Sequence, residues 1–284
     1  MTAPEATPPA PHRRAEVEVL LMAGGEGRRL GALTSTTPKP MLPVAGRPIL
    51  ELTLARLRAQ GLPHAYVSVR HLSHVVADHF GDGRALGIGL DYLVEDRPLG
   101  TAGAVGLLPP CSRPLLVVNG DVLTSIPVAA LLAHHRRRRA ALTVGCVLER
   151  VPIPYGVLET RGGEVVGLQE KPDALVRAVA GVYLLAPEVV AAVPAGVRLD
   201  MPDLIASLIG AGQRVVDFPL PGAWLDIGTP DAYARADQVA ALGFSTCGVP
   251  EPRPALEVAL APSATGAPAR EWPAFDGPAR EGLA

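Results

Sequence analysis

The sequence predicts an α/β fold built on a mostly parallel sheet flanked by helices, and three observations carry that prediction. Short runs rich in Val, Leu and Ala alternate with segments of helical periodicity, the pattern of βαβ units. The first run leads straight into a glycine-rich turn, Gly24-Gly25-Glu26-Gly27, where the carboxyl edge of such a sheet would lie. The chain is 284 residues long, 48% hydrophobic and 19% charged, enough to bury one large core or two small ones.

Strands are predicted at 17–22, 65–69, 90–94, 115–118, 141–148, 165–169 and 178–185, each a short apolar or β-branched run. A helix is predicted over 48–60. Pro48 stands in its first turn, Leu50, Leu54 and Leu57 recur at i, i+4 and i+7, and Gly61 follows as a stop. A second helix runs from Ile126 towards Arg139, and its basic end from His134 to Arg139 suits the negative pole of the helix dipole, so it reads as a solvated face. No repeat of 20 to 50 residues is evident, so neither a solenoid nor an appended β-helix is expected.

Proline marks the ends. Of 30 prolines, four fall in residues 1–14 and seven in residues 249–284. Both segments are expected to be disordered, the second because Pro, Ala and Gly recur there without hydrophobic periodicity and little offsets the entropy of ordering. One domain over 15–248 remains.

The formal net charge is −2 with no broad basic segment, which excludes a protein that lives on nucleic-acid phosphates. Cys111, Cys146 and Cys247 are scattered, with no CxxC pair, so neither a disulfide framework nor a zinc cluster is expected, and the setting reads as reducing and cytoplasmic. Arg13-Arg14 is not followed by an apolar signal core, and no apolar run reaches the roughly 18 residues that span a bilayer.

The turn after the first strand carries the chemistry. Glycines let the backbone approach a phosphate closely, their N–H groups can cradle its oxygens, and Arg29 and Lys39 add the positive charge that a triphosphate calls for. The dinucleotide fingerprint GxGxxG fails because Leu30 stands in the third glycine's place, and the P-loop signature fails because no Gly-Lys-Ser/Thr follows. A tight strand-to-helix turn alone would explain the glycines but not Lys39 between Pro38 and Pro40.

These residues resemble the sugar-1-phosphate nucleotidyltransferases, whose opening motif reads GGxGxRL followed by PKP. Gly24, Gly25, Gly27, Arg29, Leu30, Pro38, Lys39 and Pro40 match it. The likeness continues through Pro98-Leu-Gly100-Thr101-Ala-Gly103-Ala104, Asn119-Gly120-Asp121, Tyr155-Gly156-Val157, Glu170-Lys171-Pro172, Ala180-Gly181-Val182-Tyr183 and Trp224-Leu-Asp226-Ile-Gly228-Thr229-Pro230, spanning about residues 17–240. The resemblance implies a Rossmann-like fold without a β-helix domain, and roles for individual residues. Ala23, Gly24, Gly25 and Gly27 would hold the triphosphate, with Arg29 and Lys39 stabilising charge as pyrophosphate leaves. Asp121 and Asp226 would share Mg²⁺, as hard carboxylate oxygens do beside phosphates. Glu170 and Lys171 would hold the sugar hydroxyls and the sugar phosphate, with the Gly156 N–H nearby. Where the family usually has Asn before Ala-Gly-Ile/Val-Tyr this chain has Val179, which removes a hydroxyl contact.

Glu95 falls where the family reads the base, close to Gly100 and Thr101. A carboxylate can accept from N1–H and the 2-amino group of guanine, which favours GTP over dTTP or UTP. Equally, Glu95 could face solvent at a strand end. The expected reaction is NTP plus sugar 1-phosphate giving an NDP-sugar and pyrophosphate, with GTP and mannose or manno-heptose 1-phosphate favoured and glucose 1-phosphate with dTTP as the alternative. A non-catalytic nucleotide-sugar sensor is a further alternative, and homo-oligomers stay open. A glycosyltransferase on a related fold would carry Asp-x-Asp, which this sequence lacks.

Overall fold

A computed structural model describes residues 16–241 and 256–257. In chain order, β1 (Glu18–Met22) leads through a loop and two short 3-10 turns to the small pair β2 (Pro43–Val44) and β3 (Arg47–Pro48). Next come α1 (Ile49–Ala59), β4 (His64–Val69), α2 (Ser73–Phe80), β5 (Gly89–Val94), α3 (Gly100–Gly103), β6 (Leu115–Asn119), β7 (Val122–Thr124) and α4 (Val128–Arg138). The second half holds β8 (Leu142–Pro152), β9 (Val157–Arg161), β10 (Glu164–Gln169), β11 (Asp173–Leu185), α5 (Pro187–Ala192), α6 (Met201–Gly210), β12 (Val215–Pro219), β13 (Trp224–Asp226), α7 (Pro230–Ala241) and β14 (Leu256–Glu257).

The central sheet runs β12-β8-β11-β6-β1-β4-β5. Every neighbouring pair is parallel except the two that β11 makes, with β8 and with β6. The strand period of two sorts side chains onto opposite faces. From β1 and β6, Val19, Leu21, Leu116 and Val118 pack on one side with Leu50, Leu54 and Leu57 of α1 and Leu131 of α4. Leu20, Leu115 and Val117 pack on the other side with Val189 of α5 and Leu204 and Leu208 of α6. Both faces are covered, as the predicted fold class requires. No described residues form a β-helix.

Six predicted strands lie in that sheet and both predicted helices form, within a few residues of the expected ends. The exception is 165–169. It pairs only with β9, as a separate two-stranded ribbon whose side chains are mostly exposed on both faces, so its apolar run stands outside the core. Helices α2, α3, α5, α6 and α7 and strands β2, β3, β7, β9, β12 and β13 are additional. Several are three to six residues long, too short for a period to show. In the tail, where no regular structure is expected, Leu256–Glu257 pairs in parallel with Ala174 and Leu175 of β11. Residues 1–15, 242–255 and 258–284, which include Cys247 and most of the segments expected to be disordered, lie outside the described residues. Cys111 and Cys146 are free thiols.

His135 fastens α4 to the sheet. Its ring is buried, with Nδ1 2.8 Å from the Thr143 hydroxyl of β8. Burial, reinforced by His134 and Arg136, pushes its pKa from 6.5 down to about 4. Between those values the unfolded chain binds the proton and the folded chain does not. Stability from this group is therefore whole above pH 6.5 and is lost as pH falls towards 4. Urea denaturation across that interval should show a loss of roughly 3 kcal/mol in the parent that His135→Gln lacks.

Candidate active site

The site grows from the carboxyl ends of β1, β4, β5 and β6, which lie side by side. Past β1 the Ala23 N–H donates to the Ser68 carbonyl of β4 at 2.8 Å. Gly24 lies against the Glu95 side chain, so close that a Cβ built on it would stand 2.9 Å from Oε1. Gly27 takes left-handed angles, φ 65° and ψ 26°, that an L side chain tolerates poorly, and it opens the 3-10 turn Arg28–Thr34. The buried Thr34 hydroxyl donates back to the Gly27 carbonyl at 3.1 Å. A Cβ on Gly25 would meet nothing within 4 Å, so the loop is braced from behind and open in front.

Opposite this loop two carboxylates and two cations converge. The next strand over, β6, ends at Asn119, and the Gly120 N–H donates to the Met22 carbonyl of β1 at 2.9 Å, which puts Asp121 beside the glycine loop. Asp226 arrives from 105 positions away because β13 pairs antiparallel with β7. Asp226 stands opposite Val122, and the Ile227 N–H donates to the Asp121 carbonyl at 3.0 Å. Lys39 is buried between the two acids. Its Nζ donates to Asp121 Oδ2 and stands 3.8 Å from Asp226 Oδ1, an ion-pair contact too long for a hydrogen bond. Arg29 reaches the same place, with Nη2 2.9 Å from where a Cβ on Gly228 would stand.

Asp226 is the strained member. Burial first, then the neighbouring Asp121, raises its pKa above the ordinary carboxylate value, against the opposing pull of Lys39 and Arg29. Its Oδ1 is buried without a hydrogen-bond partner. Tyr183 lies deeper, its phenol pushed up to about 12 by burial and by Asp121. Among the described residues no three His, Cys, Asp or Glu side chains gather as a self-sufficient metal cluster. Two carboxylates, one with an oxygen that accepts no hydrogen bond, do fit a hard divalent cation that takes its remaining ligands from phosphate and water.

Glu95 is 7% exposed and does not face solvent. One oxygen accepts from the Ser68 hydroxyl, the other from the Leu99 N–H at 3.0 Å. The next turn is clamped to the start of α6. The Thr101 N–H donates to Asp200 Oδ1 at 3.1 Å, and the Thr101 hydroxyl accepts from the Met201 N–H at 2.7 Å. Gly100 has φ 79°, and a Cβ on it would meet the Leu199 carbonyl oxygen at 2.5 Å. Only glycine fits there.

Gly156, Glu170 and Lys171 form a second group, carried by the ends of β9, β10 and β11 rather than by the main strand ends. Glu170 Oε2 lies 3.2 Å from where a Cβ on Gly156 would stand, and Lys171 Nζ is 4.0 Å from Glu170 Oε1. Both charged side chains are about two-thirds exposed. Lys171 holds a left-handed backbone, φ 46°, of the kind that costs energy in a residue other than glycine and gathers at functional sites. Val179 is exposed on β11.

The nucleotidyl transferase family model matches residues 18–241, from the first strand to the last helix of the site-bearing domain. The chain belongs to that family. It is 32% identical over 248 residues to a mannose-1-phosphate guanylyltransferase of Mycobacterium tuberculosis, an alignment covering 85% of this chain and 67% of the relative. It is 29% identical over 241 residues to a UTP–glucose-1-phosphate uridylyltransferase of Synechocystis, covering 78% and 62% respectively. The chain thus spans about two-thirds of the length of these relatives. The structure of HddC from Yersinia pseudotuberculosis complexed with GMP-PN shares the fold, with a TM-score of 0.61 at 22% identity over 78% of this chain and 98% of that one.

Two side chains that the sequence reading passed over stand at this candidate site. Ser68 and Arg70 stand at the end of β4, where Ser68 holds Glu95 and Arg70 Nη2 donates to Glu26 in the glycine loop at 2.9 Å. The signal available was position alone: polar residues closing an apolar strand at a sheet's carboxyl edge. For Asp226, removing the charge should relieve the folded protein while removing a carboxylate that would hold a divalent cation. Asp226→Asn is expected to raise the melting temperature of metal-free protein and to cut pyrophosphate release by more than about 100-fold, read by calorimetry and a phosphate-coupled assay.

Proposed function

We propose that this chain transfers a nucleotidyl group from an NTP to a sugar 1-phosphate, with GTP and mannose or manno-heptose 1-phosphate as substrates. The observation that carries the reading is Lys39 held between Asp121 and Asp226, with Arg29 beside them, facing an open glycine loop. An oxygen of the sugar phosphate forms a bond to the α-phosphorus as the bond from that phosphorus to the bridging oxygen breaks, and pyrophosphate leaves with the electron pair. The nucleophile is already ionised, so no general base is needed and the protein supplies position and charge. The glycine loop holds the triphosphate, and Arg29 and Lys39 offset the charge that gathers on the leaving group. Glu170 and Lys171 orient the sugar phosphate. Asp121 and Asp226 would hold Mg²⁺, which when bound neutralises phosphate charge and polarises the reacting phosphoryl group. A reducing, cytoplasmic setting belongs to the same reading, as does assembly with further copies of the chain.

The choice of base rests more on the guanylyltransferase relative than on Glu95. To read guanine, that carboxylate would have to share oxygens already engaged by Ser68 and the Leu99 N–H. The uridylyltransferase relative supports glucose 1-phosphate with UTP or dTTP as the second reading.

Pyrophosphate release should be measured with Mg²⁺ for five NTPs crossed with mannose, glucose, N-acetylglucosamine and heptose 1-phosphates. The highest turnover is expected for GTP with mannose or manno-heptose 1-phosphate, whereas faster turnover with UTP or dTTP would establish the second reading. Binding of NDP-sugars with no release in any pair would mean a sensor. Lys39→Gln should lower turnover of the productive pair by about 100- to 1,000-fold.

A further inference from the structure

The loop that would hold a triphosphate contains an acid. Glu26 occupies the third place of Gly24-Gly25-Glu26-Gly27, and a carboxylate there repels the phosphates that the glycines are shaped to admit. Its charge is answered on both sides. Oε2 accepts from Arg28 Nε at 2.5 Å, and Oε1 accepts from Arg70 Nη2 at 2.9 Å. These two guanidinium groups hold the Glu26 carboxyl below the usual carboxylate range, so it stays charged at neutral pH.

Arg28 is 85% exposed and its pair with Glu26 contributes little. Arg70 is different. Its side chain is 21% exposed, its Cβ lies 3.5 Å from where a Cβ on Gly24 would stand, and its far end meets Glu26. The arm therefore runs alongside the loop from Gly24 to Glu26, with its charged end at the Glu26 carboxylate. A guanidinium so placed presents the planar fork that binds phosphate oxygens two at a time, and phosphate offers it more charge than a single carboxylate does.

We propose that Arg70 is a further nucleotide-binding residue and that Glu26 competes with the nucleotide's phosphates for it. Binding exchanges the Glu26–Arg70 pair for a phosphate–Arg70 pair, while Glu26 turns to solvent on the loop's open side. The same competition acts on the product side: when pyrophosphate is the bound anion, the return of Glu26 to Arg70 favours its release. The inference rests on the nucleotidyltransferase reading and assigns two side chains that reading does not use.

The test is calorimetric binding of GTP and of inorganic tripolyphosphate, both with Mg²⁺, to the full chain and to Glu26→Gln, Arg70→Gln and the double variant. Glu26→Gln should bind tripolyphosphate about two- to fivefold tighter. Arg70→Gln should bind it more weakly, and the gain from Glu26→Gln should shrink in the Arg70→Gln background. Should Arg70→Gln not fold, Arg70→Lys replaces it, with weaker tripolyphosphate binding expected because the fork is lost. Equal or weaker binding by Glu26→Gln would make the pair a structural strut and overturn the proposal, as would a gain undiminished without Arg70 or full affinity in Arg70→Lys. If the parent protein binds neither ligand, the nucleotidyltransferase reading falls and this inference falls with it. Tight parent binding with an unimproved Glu26→Gln overturns this inference alone.

Discussion

The site depends on one buried ammonium group. Lys39 has little contact with water, and an ammonium in that position persists only if carboxylates meet it. Asp121 and Asp226 do so, and each is delivered by backbone pairing rather than by a flexible loop: Asp121 by the bond from Gly120 to the end of β1, Asp226 by the β7–β13 ladder. The lysine in turn is set by the short turn Lys39–Met41, where it stands between Pro38 and Pro40 and the chain has little freedom to swing away. Beneath them Leu30, Leu42, Ile49, Leu123, Leu225 and Ile227 form a small apolar cluster that locks the segments together. Backbone pairing thus decides where these pieces of chain meet, and apolar packing holds them there.

This arrangement leaves the acids unequal. Asp121 is hydrogen-bonded to Lys39, whereas Asp226 Oδ1 accepts no hydrogen bond, has only the longer ion-pair contact, and belongs to a carboxyl whose pKa is raised. A fold selected for stability alone would have filled that position with a neutral side chain. Its retention places the cost where a cation and phosphate would offset it, the usual trade between stability and function.

Much of the architecture was legible in the sequence because the elements that build the central sheet are short, apolar and separated by helical periods. Helix α1 shows its buried stripe in Leu50, Leu54 and Leu57, and β1 shows its strand run directly before the glycines. The β10 segment forms the strand its composition predicts, but outside the central sheet, with Val165, Val166 and Leu168 exposed, because composition does not report burial. Of the site, the glycine loop, Arg29 and Lys39 could be read as one chemical unit because they lie within 17 positions of one another. The meeting of Asp121 with Asp226 could not, since it needs a two-stranded ladder between segments too short to show a period. Glu95 kept two readings for a related reason: whether its carboxylate is free or engaged is decided by Ser68 and Leu99, and neither is polar or charged in a way that announces a partner.

Strand β11 has a mechanical meaning beyond its place in the sheet. Its 13 residues begin beside Glu170 and Lys171 and end in the core against β6, with the ladder interrupted between Val179 and Tyr183. At that interruption Gly181 turns with φ 71°, and a Cβ there would stand 2.8 Å from Asn119 Nδ2, two residues before Asp121. Only glycine allows so close a pass of this strand against the turn that leads to Asp121. One continuous run of backbone therefore joins the turn that carries Glu170 and Lys171 to the turn that carries Asp121, and Gly181 against Asn119 is where the two come into contact.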